Sequence, residues 1–230
     1  MTDLPQRIHP PSSEAELLQR CQLFAGLQLK QIAQMLSFTL PENLKRDKGY
    51  VGQLAEHILG ANAGNLAQPD FVALDIELKT IPINSQGKVM ESTYISMVPL
   101  SHEKQCSWRE SVVYAKLKRV LWLPIESERT MPLSKRRFGQ AILWQPAEPI
   151  LNALQADYDY ILEKIVVGEL QSLSASEGKY LQVRPKAANR QALTETVNAD
   201  GEVVKTLPRG FYLRPAFTQA IIDDWRQNAY

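Results

Sequence analysis

The sequence predicts an α/β fold in which a mixed sheet is flanked by helices, and three observations carry that expectation. Apolar residues recur at helical spacing up to about residue 59. The rhythm switches to period two near residue 71. Strand and helix patterns then intermix to the C-terminus. The 230 residues suffice for one large domain or two closely packed lobes, and 44% hydrophobic against 22% charged residues is an ordinary globular balance.

In order along the chain, Ser12 and Ser13 followed by Glu16 resemble a capping box, and Leu17, Leu18, Cys21 and Phe24 give the helix after it an apolar side. A short second helix is expected over 29–38. A third is expected over 50–59, with a stripe of Val51, Leu54, Ala55, Ile58 and Leu59 and Gly60 as its stop. From Phe71 to Ile83, Leu74, Ile76 and Leu78 alternate with Asp75, Glu77 and Lys79, which predicts a strand with one apolar and one charged face. Tyr94 to Val98 reads as a neighbouring strand, Trp108 to Lys118 as a helix and Val120 to Pro124 as a buried strand. A long helix is expected between Pro149 and Leu170. Strands follow near 180–183, 203–207 and 211–213, and a last helix near 216–225. A loose boundary falls between residues 145 and 175, dividing an N-terminal lobe of about 1–145 from a C-terminal lobe of about 146–230.

No apolar run is long enough for a membrane span, and the polar, Pro-containing N-terminus lacks the layout of a secretory signal. Only Cys21 and Cys106 occur, which argues against a disulfide framework and for the cytoplasm. Cys21 falls in an apolar helical pattern and is expected in the core. The net charge is only +1, but cations cluster at Lys45, Arg46 and Lys48, at Lys116, Lys118 and Arg119, at Lys135, Arg136 and Arg137, and from Arg184 to Arg214. Such clusters serve phosphate contacts or are simply solvated faces.

The chemically informative stretch is Asp70 followed by Glu77-Leu78-Lys79. A strand puts Glu77 and Lys79 on one face, roughly 6 to 7 Å apart. The Leu78 side chain points the other way, while its carbonyl stays near the charged face. A turn could bring Asp70 back beside Glu77. Two carboxylates, a carbonyl and a lysine make a coherent phosphodiester-cleaving set around Mg²⁺, with Mn²⁺ as a substitute. Glu56, off the apolar stripe of its helix, could add a third carboxylate. The competing readings are an edge strand with a solvated charged face, and a surface glutamate at 56. HExxH, GxxxxGK[ST] and GxSxG patterns are missing from the sequence.

Pro69-Asp70 with Glu77-Leu78-Lys79 resembles the PD-(D/E)XK nuclease signature. Longer strings resemble the MutH family of DNA mismatch repair endonucleases: PENLKRDKG at 41–49, ELKTIP at 77–82, KLKRVLW at 116–122, RPKAAN at 184–189 and LPRGFYL at 207–213. The resemblance implies a restriction-endonuclease-like fold with two lobes around a DNA cleft. It also implies a Mg²⁺-dependent nick beside an unmethylated GATC in hemimethylated DNA, by a monomer activated by MutL after MutS finds a mismatch. It implies metal-binding carboxylates at Glu56, Asp70 and Glu77, and catalytic lysines at Lys79 and Lys116. Lys48, Tyr94, Arg184, Lys186 and Tyr212 are implied at the DNA surface, with Tyr212 sensing adenine methylation. Strand alternation leaves Tyr212 either core or wet; the flanking Arg209 and Arg214 favour the wet side. The enzyme alternative is a restriction-type endonuclease cutting both strands. The alternative of another class is a DNA-binding adaptor without catalysis.

Overall fold

The computed structural model describes residues 4–41, 49–64, 66–128, 130–187 and 189–228. The α/β class is observed, with several sheets among helices. Two compact units form, 1–91 with 119–145 and 222–230, and 92–118 with 146–221, so each is assembled from more than one stretch of chain.

The first unit begins with α1 (Glu14–Phe24), α2 (Leu29–Met35) and α3 (Tyr50–Leu59). Ser13 caps α1 by accepting from the Glu16 N–H at 3.2 Å, and the Glu16 carboxylate reaches back to the N–H and hydroxyl of Ser12, both at 2.7 Å. Those hydrogen bonds from Ser12, more than the Arg20 guanidinium, hold the Glu16 carboxyl down at about 2. Helix α2 ends at Met35, short of the expected Phe38, because Ser37 takes a left-handed backbone at φ 54°. Helix α3 stops at Gly60, at φ 84°, where a Cβ would stand 2.4 Å from the His9 carbonyl oxygen. Arg20, buried, donates to the carbonyls of His9 and Leu59 and so ties α1 to the end of α3.

The first-unit sheet is built on β1 (Glu77–Ile83) and β3 (Val120–Glu126), paired in parallel, with β4 (Arg137–Phe138) and β5 (Ile142–Trp144) antiparallel to β3. The nearly continuous apolar run of β3 is buried on both faces, as a central strand requires. Pro124 has no N–H to donate, and it falls between the residues that pair with β5 and those that pair with β4. Leu17, Leu29, Ile32, Leu54, Phe71, Ile76, Leu121 and Phe138 form the centre of this core. Cys21 lies in it at 4% exposure, and burial pushes its thiol up to about 12. The strand expected from Phe71 begins only at Glu77.

The second unit holds β2 (Thr93–Met97), α4 (Val112–Leu117), α5 (Glu148–Val166), β6 (Leu181–Pro185), β7 (Thr194–Val197), β8 (Val203–Thr206) and β9 (Arg209–Leu213). Strand β9 runs antiparallel between β2 and β6, and β7 pairs with β8. The inward face of the three-stranded sheet presents Leu181, Val183, Phe211 and Leu213 to the core, where Tyr158 of α5 meets Phe211 and Trp108 at ring-centroid distances of 5.5 Å. The helix expected over 108–118 is interrupted: Trp108–Glu110 is a 3₁₀ turn, and Ser111 turns to an extended backbone and caps α4 through the Tyr114 N–H at 3.0 Å. Helix α5 ends at Val166, before Leu170. Gly168, at φ 77°, passes so close to Asn198 and Ala199 that a Cβ would meet backbone at 2.2 Å. Helix α6 (Pro215–Asn228) carries the chain from the second unit into the first. Among the described residues no helix is long and apolar enough to cross a membrane.

Candidate functional site

A six-residue turn delivers the first acidic side chain. The Phe71 N–H donates to the Ile76 carbonyl at 2.9 Å and the Ile76 N–H returns to Phe71 at 3.4 Å. Between them Val72–Leu74 form a 3₁₀ turn, and Asp75 closes it in the left-handed region at φ 55°, a conformation short polar side chains tolerate better than most. The chain therefore doubles back, and Asp70 lies beside the start of β1. One Asp70 carboxylate oxygen accepts from the Leu78 N–H at 2.9 Å, while the Asp70 carbonyl accepts from Asn62 and Ala63. The turn also explains why alternation over 71–76 does not produce strand.

Glu77 and Lys79 share a face of β1, opposite Val120 and Trp122 in the parallel register. That face is not solvated. The Glu77 side chain is 1% exposed and that of Lys79 is 15% exposed, with the ammonium 2.5 Å from Oε1 of Glu77. A lone carboxylate at this depth would be strongly destabilising; with the ammonium it is tolerable. The reading of Glu77 as part of an exposed edge is corrected by this burial. Leu78 points into the core at 6% exposure.

Glu56, on α3, is half-buried rather than fully solvated, with Arg7 4.0 Å from its carboxylate. Arg7 arrives because the N-terminal segment runs along α3: the Ile8 N–H donates to the His57 carbonyl and the His57 ring meets the Pro5 carbonyl. Burial first, then the Asp70 carboxylate and more weakly Glu77, raise the Glu56 pKa; Arg7 and Lys79 pull it back. Glu56 thus feels the charges of Asp70, Glu77 and Lys79. Carboxylate oxygens and a backbone carbonyl are the donor types that a hard divalent cation favours. Among the described residues, no three His, Cys, Asp or Glu side chains are drawn close enough to enclose an ion.

The second unit assembles a different chemistry. Tyr94 of β2 and Tyr212 of β9 are register partners whose rings meet edge to face, centroids 5.4 Å apart. The Lys186 ammonium lies 4.5 Å from the Tyr94 ring centroid and the Arg184 guanidinium 5.9 Å from that of Tyr212. Arg184 also donates to the Ser92 hydroxyl at 2.7 Å. Both phenols are half-buried while Phe211 and Leu213 are fully buried, so Tyr212 takes the wetter face. Burial raises both phenol pKa values; Tyr212 pushes Tyr94 further up, and Arg184 draws Tyr212 part of the way back. Lys116 sits half-buried in the last turn of α4 in this same unit. Lys48 lies outside the described residues.

Two neighbours of these groups were not legible in the sequence. Arg7 lies 49 positions before Glu56 and Ser92 lies 92 before Arg184, with no motif linking either pair.

Comparison with known proteins gives a consistent result. The family model described as DNA mismatch repair enzyme MutH matches residues 59–157. The chain is 48% identical over 217 residues to a DNA mismatch repair protein MutH of Shewanella baltica (strain OS185), covering 94% of this chain and 97% of that protein. It is 50% identical to the protein of that name from Shewanella sp. (strain W3-18-1), covering 94% and 97%. With the one from Escherichia coli O6:K15:H31 it shares 46% identity, covering 94% of each.

Proposed function

The chain belongs to the MutH family of DNA mismatch repair enzymes, and from that premise we propose a divalent-metal-dependent endonuclease that nicks the unmethylated strand at hemimethylated GATC. The observation that carries this reading is the delivery of Asp70 by its turn to the start of a strand whose Glu77 is buried against Lys79. Asp70, Glu77, the Leu78 carbonyl and Glu56 are the groups that would hold Mg²⁺, or Mn²⁺ in its place. When bound, the ion would neutralise charge on the scissile phosphate and lower the pKa of a water.

The protein's own groups do the rest. Asp70 is oriented by the Leu78 N–H, and Glu77 holds the Lys79 ammonium in place. Lys79 balances negative charge that grows on the phosphate as the bond breaks, and the family resemblance supports Lys116 as a further catalytic lysine. In the second unit Arg184, Lys186, Tyr94 and Tyr212 would contact the duplex, and the family resemblance supports Lys48 as a further contact; Arg and Lys can read guanine edges and a flat ring can pack against adenine. A methyl on adenine N6 adds bulk where Tyr212 packs. The working form is a cytoplasmic monomer whose nicking is stimulated by MutL after MutS has found a mismatch. A single active site cuts one strand at a time, which favours nicking over double-strand cleavage.

The test is a nicking assay on a duplex with one GATC, unmethylated, hemimethylated or fully methylated, with and without Mg²⁺. Strand-selective nicking that needs the metal is expected. Cleavage without divalent metal, or efficient cutting of fully methylated DNA, would sink the proposal.

A further inference from the structure

Gly210 sits inside β9, where glycine weakens a strand because it orders at a larger entropic loss and packs nothing. Its backbone is not in the left-handed region, so conformation does not demand glycine there. Space does. A Cβ at this position would stand 3.0 Å from Cε2 of Tyr212, 3.0 Å from Cε2 of Tyr94 and 3.3 Å from its Cδ2, where 3.4–4 Å is ordinary contact. Two rings from different strands lean over one backbone atom, meeting each other edge to face. Lys186 stands by the Tyr94 ring, and Arg184, the register partner of Gly210 on β6, stands by the Tyr212 ring. The bare glycine is the seat on which this platform rests.

We propose that Gly210 is a positioning residue for methylation specificity: its missing side chain lets Tyr94 and Tyr212 sit at the depth from which an adenine edge is read. The proposal rests on the function argued above. Gly210 acts only through the two rings. A methyl there would press both outward by a few tenths of an ångström, a displacement that matters because the discriminating group on DNA is itself a single methyl.

Equilibrium binding is measured to two duplexes carrying one GATC, with adenine unmethylated or N6-methylated on both strands. The readout is the ratio of the two affinities. Gly210→Ala is expected to lower that ratio roughly threefold to tenfold, a part of what one base contact discriminates. In a Tyr94→Ala background one of the two rings the added methyl meets is gone, so G210A should cost less discrimination there than in the parent. An unchanged ratio for G210A, or losses from G210A and Y94A that simply multiply, overturns the proposal. If G210A does not fold, recovery of a folded protein by Y94A/G210A supports it, and an unfolded double variant overturns it. Equal affinities of the unaltered protein for both duplexes would overturn the methylation-sensing function itself, whereas an intact ratio with multiplying losses overturns this inference alone.

Discussion

Glu77 and Glu16 are both carboxylates with a cation beside them, and their surroundings give them different uses. Glu77 is buried, and Lys79 is its partner in place. In the proposed mechanism it holds both the ion and the lysine, so Glu77→Ala is expected to reduce nicking at least about a hundredfold. Duplex affinity in a gel-shift titration should stay within a few-fold of the parent, since its base-reading groups lie elsewhere. Nicking at the parent rate would remove Glu77 from the mechanism. Glu16 serves the fold. Its folded pKa of about 2 lies below the ordinary value of 4.5, so it stabilises the folded state fully above that ordinary value. The contribution fades as pH falls through about 2. Denaturant titrations of the parent and Glu16→Gln should therefore differ by a constant amount at neutral pH and converge between pH 4.5 and 2. A gap that persisted unchanged at pH 2 would contradict that assignment.

At the scale of elements, backbone groups left over where elements end decide how functional strands are held. Strand β6 carries Arg184, and its approach is fixed by Asp157 of α5. That buried carboxylate accepts from the N–H groups of Lys179, Tyr180 and Leu181 at 2.7, 2.6 and 2.9 Å. Asp157→Ala would leave these donors unsatisfied and should destabilise the protein by roughly 3 kcal/mol. Asp157→Asn, which keeps one acceptor oxygen, should recover part of the loss. Thermal melts of the two variants check the order, and equal stability of D157A and the parent would refute it. Similar local rules explain the differences between expectation and structure. The strand expected from Phe71 gives way to the turn that places Asp70, and the helix expected from Trp108 restarts at the Ser111 cap. In both, a short polar side chain near an apolar pattern supplies a conformation or hydrogen bond that periodicity does not register. Strands β4, β5 and β7 are two to four residues long, too short for alternation to reveal.

For the whole molecule, the proposed chemistry is divided: carboxylates and Lys79 belong to the first unit, and the tyrosine pair with Arg184 and Lys186 to the second. Variants should divide likewise. Tyr212→Ala is expected to reduce discrimination between methylated and unmethylated duplexes by roughly tenfold to a hundredfold, while calorimetric titration with Mn²⁺ stays as in the parent. Glu77→Ala should show the reverse, and parallel loss of both properties in either variant would argue against the division. By itself the sequence determined the α/β class, the main helices, the Asp70, Glu77, Leu78 and Lys79 neighbourhood and the family strings, because periodicity and short motifs are local properties of the chain. Tertiary structure alone decided that Glu77 is buried, that Arg7 reaches Glu56, that Tyr94 meets Tyr212 over Gly210, and that each compact unit draws on more than one stretch of chain. Burial and long-range pairing depend on what the rest of the chain packs against a residue, and no spacing of its neighbours encodes that.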